Sequence, residues 1–234
     1  MEEGLAPSRA RAADLVRRGC VTAGDAVVSK PGALVADDAL LAVAVDAGAH
    51  VSRGALKLLA GLRGFGLSPH GVVALDVGAS TGGFTEVLLA EGAAKVYAVD
   101  VGRGQLHERL RAEPRVVSLE ATDARTIDGT LIPEPVTAIV ADVSFIILAK
   151  ALPAALTLAN AGAWLVALVK PQFEAGRDAV GKGGIVCGEE DRMRAVARVR
   201  DFLEGEGWRT IGVIDSPITG GSGNVEFLIG ARKS

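Results

Sequence analysis

An acid, two hydroxyls and three glycines are packed into Asp76-Val77-Gly78-Ala79-Ser80-Thr81-Gly82-Gly83-Phe84. The segment follows an apolar run, Val72 to Leu75, and leads into an amphipathic stretch that Gly92 ends. A second apolar run, Val96 to Val99, closes on Asp100. Strand, glycine-rich turn, helix, strand and acid, in that order, suit a nucleoside cofactor. The turn lets backbone amides approach the ligand, and the acid can accept both hydroxyls of a ribose. The plain alternative is a tight turn whose glycines only permit close packing. Glycine spacing bears on the choice of cofactor. A dinucleotide site has Gly-x-Gly-x-x-Gly, its second glycine admitting a pyrophosphate, whereas Gly78-x-Ser80-x-x-Gly83 puts a side chain there. Asp76 is out of place beside a pyrophosphate but suits a ligand carrying an ammonium and a sulfonium. S-adenosylmethionine is therefore expected ahead of a nicotinamide dinucleotide. Its expected contacts are Asp76, Gly78, Ser80, Thr81, Gly82, Gly83, Phe84, Asp100 and Val101.

Further along, Asp142 ends the apolar run Val136 to Ala141, and Lys170 ends Leu165 to Val169. Asp123 follows the third strand, where a carboxylate can reach an adenine amino group. In open α/β sheets ligands lie beyond the carboxyl ends of the strands, so Asp76, Asp100, Asp142 and Lys170 should gather there. Each alone could be a simple strand-end cap; their joint placement over the cofactor favours chemistry.

The elements that must position them alternate at βαβ spacing. Strands are predicted near 72–77, 95–100, 116–119, 136–142, 163–169, 208–214 and 225–229. Helices are predicted near 52–63, 82–91, 104–111, 146–160 and 189–205, with Ser52 capping the first. The last two strands are joined by a loop, Ser216 to Gly223, without a crossover helix, so they should pair antiparallel. The fold class is α/β: a Rossmann-like seven-stranded sheet of the methyltransferase variant, with an antiparallel final hairpin.

The chain has 234 residues, of which 49% are hydrophobic and 4% aromatic. That is enough apolar material for one large core, and too few aromatics for extensive base stacking on a sheet face. A net charge of −3 gives no global basic field for nucleic acid, so any RNA contact must be local. Two cysteines, Cys20 and Cys187, make neither a disulfide framework nor a metal set, which suits a cytoplasmic location. The acidic start Met1-Glu2-Glu3 does not read as a signal peptide. His50, His70 and His107 are far apart, and no metal is expected. Residues 151–169 carry no formal charge, but Pro153, Asn160 and Gly162 interrupt them. A helix, a turn at 160–162 and a buried strand are predicted rather than a membrane span. Trp164 and Trp208 head strands and are predicted core.

Residues 1–46 read as a small separate unit and 47–234 as the catalytic domain. A helix from Ser8 to Arg18 presents Ala12, Leu15 and Val16 on one face, with Arg11 and Arg18 opposite. Cys20 to Lys30 reads as strand, turn at Gly24-Asp25, strand. Arg9, Arg11, Arg17 and Arg18 against the single acid Asp14 make the helix locally basic. A solvated helix face is the plain reading, and RNA contact is the functional one.

Six ordered motifs carry a resemblance over almost the whole length. They are His50-Val51-Ser52-Arg53-Gly54-Ala55-Leu56-Lys57-Leu58, the Asp76–Phe84 turn, and Val99-Asp100-Val101-Gly102-Arg103-Gly104-Gln105-Leu106. Asp142-Val143-Ser144-Phe145-Ile146, Leu168-Val169-Lys170-Pro171-Gln172-Phe173-Glu174 and Gly223-Asn224-Val225-Glu226-Phe227 complete the set. Together they resemble the TlyA (haemolysin-A-like) family of ribosomal RNA cytidine-2′-O-methyltransferases with an FtsJ-type catalytic domain. The resemblance implies a Lys-Asp-Lys-Glu tetrad at Lys57, Asp142, Lys170 and Glu226, with Asp142 also near the cofactor. Lys170 would receive or steer the proton of a ribose hydroxyl, and Lys57 would stabilise the developing alkoxide. Asp142 and Glu226 would hold the lysines and orient the hydroxyl. The implied partner is ribosomal RNA or a ribosomal subunit, 23S first and 16S second, with Arg53 among the RNA contacts. Residues 8–45 resemble an S4-type RNA-binding domain without its first helix, and Thr22-Ala23-Gly24-Asp25 stands where that domain usually has Val-Asn-Gly. Two rival readings are an RNA-binding or ribosome-assembly module without turnover, and a pore-forming haemolysin, which would need a membrane segment.

Overall fold

The computed structural model describes the chain apart from residues 1–4, 7–11, 14, 17–19, 25, 29, 37–38, 44–50 and 221–222. Near the N-terminus β1 (Val21–Ala23) pairs antiparallel with β2 (Ala26–Val27) and with β3 (Leu41–Val43). Gly24 adopts φ +58° in the turn between the first two strands, as the sequence suggests. Residues 12–13 and 15–16 are helical, and Leu15 packs with Ala6, Cys20 and Val21 in a small apolar cluster. The third strand has no counterpart in the sequence reading. Arg9, Arg11, Arg17, Arg18 and His50 lie outside the described residues, as does the expected boundary between 46 and 47.

The remaining strands form one sheet of seven. They are β4 (Val73–Val77), β5 (Lys95–Asp100), β6 (Val116–Glu120), β7 (Val136–Ala141), β8 (Ala159–Val169), β9 (Trp208–Asp215) and β10 (Phe227–Lys233). Their order is β6-β5-β4-β7-β8-β10-β9. β4 through β8 run parallel, and β10 runs antiparallel to both β8 and β9. The seven-stranded mixed sheet with an antiparallel last hairpin is the expected one.

Side chains alternate across this sheet, and helices cover both faces. Leu75, Val77, Val99, Ile139, Leu165 and Ile229 point to one face. There they meet Leu152 and Leu156, the latter from α5 (Pro153–Leu158), and Val196, Val199 and Leu203 of α7 (Glu189–Gly205). Ala74, Val96, Val140, Val166 and Leu228 point to the other. They pack on Leu58 and Leu62 of α1 (Gly54–Phe65) and on Phe84, Val87 and Leu88 of α2 (Gly83–Ala90). Trp164 and Trp208 are buried in these layers. The uncharged run at 151–169 crosses between them as a helix and a central strand. Among the described residues no helix is long and apolar enough to cross a membrane.

Three elements differ from expectation. The 104–111 segment is helical only over α3 (Glu108–Arg111). Gly104 takes φ +62°, and the Glu120 carboxylate accepts the amides of Gln105 (2.6 Å) and Leu106 (3.0 Å), which pins the preceding residues as a loop. The 146–160 helix is split into α4 (Leu148–Ala151) and α5, because Pro153 starts a new helix at its favoured first turn. The turn at 160–162 lies inside β8, as a bulge where Val136 pairs with Ala159 and Ala138 with Trp164.

Two glycines bring the site together. A Cβ on Gly83 would stand 3.1 Å from the Ala55 amide and 2.0 Å from Ser52 Oγ, so α1 and α2 touch there. Gly78 adopts φ +84°, and a Cβ on it would stand 2.7 Å from the Asp142 carbonyl oxygen. Its bareness lets the ends of β4 and β7 close on each other. Gly78→Ala combines a left-handed backbone with a backbone clash, and is expected to cost about 2 kcal/mol or more. A thermal melt that leaves the midpoint unchanged would contradict this account of the turn.

Candidate active site

Two ion pairs stand at the carboxyl edge of the sheet. Lys170, just past β8, places Nζ 2.6 Å from Oδ1 of Asp142, just past β7, and donates to Ser144 Oγ at 2.8 Å. Lys57 on α1 donates from Nζ to Glu226 Oε2 at 2.6 Å. Glu226 immediately precedes β10 and is 3% exposed; Lys57 is 8% exposed. Breaking such a pair leaves a charge without its partner in low dielectric. The four residues come from α1 and from the ends of β7, β8 and the approach to β10, so only the folded sheet unites them. Lys57, Asp142 and Lys170 line one cavity of about 360 Å³, with Arg53, Phe84 and Thr219 on its walls. Glu226 has no part in that lining and reaches the cavity only through Lys57. Arg53 donates to the Thr219 carbonyl at 3.5 Å, at the cavity rim.

A second cavity, of about 340 Å³, adjoins the first through Gly78, Ser80, Asp142 and Ser144. Asp100, Val101 and Asp123 belong to its wall. Asp100 accepts the Ser80 amide at 2.8 Å on Oδ2 and the Gly102 amide at 2.7 Å on Oδ1, which fixes its carboxylate and leaves a lone pair on each oxygen. Ser80 holds φ +48°, a left-handed conformation uncommon outside glycine. Asp123 is engaged by Arg125, whose Nη2 lies 2.5 Å from Oδ2, and this partner together with the Arg125 amide holds the carboxyl at about 2. A group expected at an adenine amine is thus covered by a guanidinium.

The glycine-rich turn divides by role. Gly78, Ser80, Thr81, Gly83 and Phe84 line the first cavity. Gly82 lines neither; a Cβ there would stand 2.2 Å from Leu110 Cδ1, so its freedom serves packing. Asp76 also differs from the expected ligand contact. The alternation of β4 turns it towards α2, where it is fully buried and accepts from Thr85 Oγ1 at 2.6 Å. It has no surface in either cavity, and its Oδ1 has no hydrogen-bond partner. Burial chiefly pushes its pKa to about 7; Asp142 and Asp100 add repulsion, while Thr85 opposes the shift. Three carboxylates within electrostatic reach favour a cationic ligand over a pyrophosphate.

Sequence reading singled out neither Phe145 nor Arg125. Phe145 is 90% exposed with φ +65°, an unusual backbone for a bulky residue, and lies 5.1 Å from Phe173 between ring centroids. An aromatic three residues after a strand-end acid was the available signal. Asn224 is 1% exposed; its Oδ1 accepts the Val186 amide at 3.0 Å and its Nδ2 donates to the Gly184 carbonyl at 2.9 Å. It ties the segment after α6 (Pro171–Glu174) to the loop that carries Glu226. Among the described residues no group of three or more His, Cys, Asp or Glu could hold a metal ion. Cys20 is buried and Cys187 exposed, and the two form no disulfide.

The Asp76 shift gives a signed stability prediction. The neutral form is favoured in the folded chain, so this contribution is complete below about pH 4 and is lost as pH rises to about 7, at ~1.4 kcal/mol per pH unit. Denaturant midpoints of wild type and Asp76→Asn, compared at pH 5 and pH 8, should diverge, with wild type losing more. Parallel pH profiles would refute it.

A family model described as FtsJ-like methyltransferase matches residues 50–233. The TlyA 16S/23S rRNA (cytidine-2′-O)-methyltransferase of Mycobacterium tuberculosis is 47% identical, over 99% of this chain and 87% of its own length. Hemolysin A of Brachyspira hyodysenteriae is 38% identical, over 97% of this chain and 94% of its own. A solved structure of a protein named as a hemolysin from Streptococcus thermophilus is 40% identical. It covers 100% of this chain and 86% of its own, with a TM-score of 0.81.

Proposed function

Since the chain belongs to the FtsJ-like methyltransferase family, we propose that it transfers a methyl group from S-adenosylmethionine to the ribose 2′-hydroxyl of a cytidine in ribosomal RNA. The observation that carries this reading is the convergence of two lysine–carboxylate pairs beside adjoining cavities, one of whose walls includes Asp100, an acid fixed by two backbone amides and suited to a ribose.

The residues fit the cofactor. Gly78 keeps a side chain out of the passage between the cavities, and Asp100 offers both oxygens to ribose hydroxyls. Asp142 faces both cavities, and the carboxylate cluster suits a ligand with two positive centres. When bound, S-adenosylmethionine supplies an electrophilic methyl group on a sulfonium.

A ribose hydroxyl is a poor nucleophile at neutral pH, and the chain must assist loss of its proton as the oxygen attacks. Lys170 Nζ, held between Asp142 and Ser144, orients the hydroxyl and steers the proton towards the Asp142 carboxylate and solvent. Lys57, positioned from behind by Glu226, stabilises the negative charge developing on the oxygen. The cavity walls would hold the hydroxyl in line with the methyl group that S-adenosylmethionine would present, and that alignment would supply much of the acceleration. The exposed ring of Phe145, on a constrained backbone beside this site, offers a surface on which a base drawn out of its stack could rest. Arg53 at the rim suits a phosphate.

The test is transfer of labelled methyl to unmodified ribosomal subunits by wild type and by Lys170→Ala, followed by nucleoside analysis. Wild type should label a cytidine on the ribose, and Lys170→Ala should lose about 100-fold or more in rate while still binding cofactor. Label on a base, or activity surviving in Lys170→Ala, would overturn the reading. Cofactor-free RNA binding without turnover would point instead to an assembly module.

A further inference from the structure

We propose that the cavity beyond Phe145 is a second nucleotide subsite, taking an unpaired neighbour of the target, with its base against Phe173 and its phosphate at Lys150; this rests on the RNA reading above. The cavity, of about 840 Å³, is larger than either of the other two. Phe145 belongs to its wall and to that of the Asp100 cavity, so it continues the same surface away from the catalytic lysines.

Its chemistry is selective. Phe145, Ile147 and Phe173 supply an apolar floor, and Lys150 and Arg125 stand at its borders. Among the described residues no acid lines it, although the whole chain carries 28 acidic residues against 25 lysines and arginines. Arg125 is held by Asp123, whereas Lys150, on α4, is exposed at this border and, among the described residues, forms no ion pair. The two phenylalanine rings meet at 50° rather than stacking flat, so each keeps a face for another planar group. Gln172 contributes a carboxamide whose Oε1 is buried without a hydrogen-bond partner, an acceptor that an exocyclic amine could satisfy after a rotation of the side chain. Aromatic faces, a polar base-edge reader and a cation with no competing carboxylate together fit one nucleotide of a single strand. A duplex keeps its bases stacked and cannot enter. A basic protein tail, the other partner a ribosome could present, would be repelled by the cations.

The consequence is a requirement on the substrate. A target whose neighbour is paired would fill the catalytic cavity but not this one, and would be held less well.

The test uses full-length protein and a single-stranded ribosomal RNA fragment, alone or annealed to its complement, in equilibrium binding at several salt concentrations. Lys150→Gln should weaken binding to the single strand severalfold and lower the salt slope by about one. Phe173→Leu should weaken the same binding without changing the slope. Both should leave duplex affinity and cofactor affinity as in wild type, and a thermal melt checks that Phe173→Leu is folded. Unchanged single-strand binding by Lys150→Gln, or an equal loss for duplex and single strand, would overturn the subsite. Because binding is read directly, this result stands apart from methyl transfer. Loss of turnover in wild type would strike the enzyme reading and not the subsite.

Discussion

Asp76, Asp100 and Asp142 stand at or beside the carboxyl ends of three adjacent parallel strands, so three carboxylates lie within electrostatic reach of one another. The chain accommodates that concentration of charge in three ways. Asp100 is neutralised in part by two backbone amides, and Asp142 by Lys170 at 2.6 Å. Asp76 is turned into the core, where burial and the charge of its neighbours favour its protonated form. The same local field that makes a pyrophosphate unwelcome makes a cation welcome. The electrostatics of the strand ends therefore constrain the ligand before any individual contact is considered.

The two lysines are fixed in different ways. Lys170 follows the most apolar strand directly, so its backbone is as rigid as the sheet. Lys57 sits on α1, and its place depends on α1 packing against α2 through Gly83 and on Glu226 standing at the start of β10 beneath α1. Glu226 in turn lies two residues from Asn224, whose side chain holds the 184–186 segment. A disturbance in that loop is therefore coupled to a buried ion pair. Networks of this kind are sensitive because each member, once unpartnered, carries the full cost of desolvation.

Much of the fold follows from periodicity. The apolar runs at β4, β5 and β7 are short, rich in Val and Ala, and bounded by turn residues, and each appears as a strand close to its predicted limits. The failures are local. Pro153 divides a helix that apolar periodicity alone would continue. The Glu120 carboxylate, brought from another strand, captures amides that would otherwise begin a helix at residue 104. Strand-end position did place Asp100, Asp142 and Lys170 on the walls of the two adjoining cavities. It misplaced Asp76, whose partner in the alternation is Ala74 on the face covered by α2, not an open edge. Phe145 escaped notice because its significance lies in exposure and in a left-handed backbone, neither of which composition reveals.

The sequence by itself determined the order of strands and helices, the acids at the strand ends and the residues available for chemistry, because hydrophobic period and glycine placement are local properties. Only the tertiary structure decided which cations pair with which acids. Lys57 and Glu226 are distant along the chain and meet because β10 inserts antiparallel between β8 and β9 while α1 crosses the face above it. It also decided that Asp76 lies behind the wall rather than in it. Those outcomes depend on the distance between elements and on exclusion of water, which exist only once the sheet has closed.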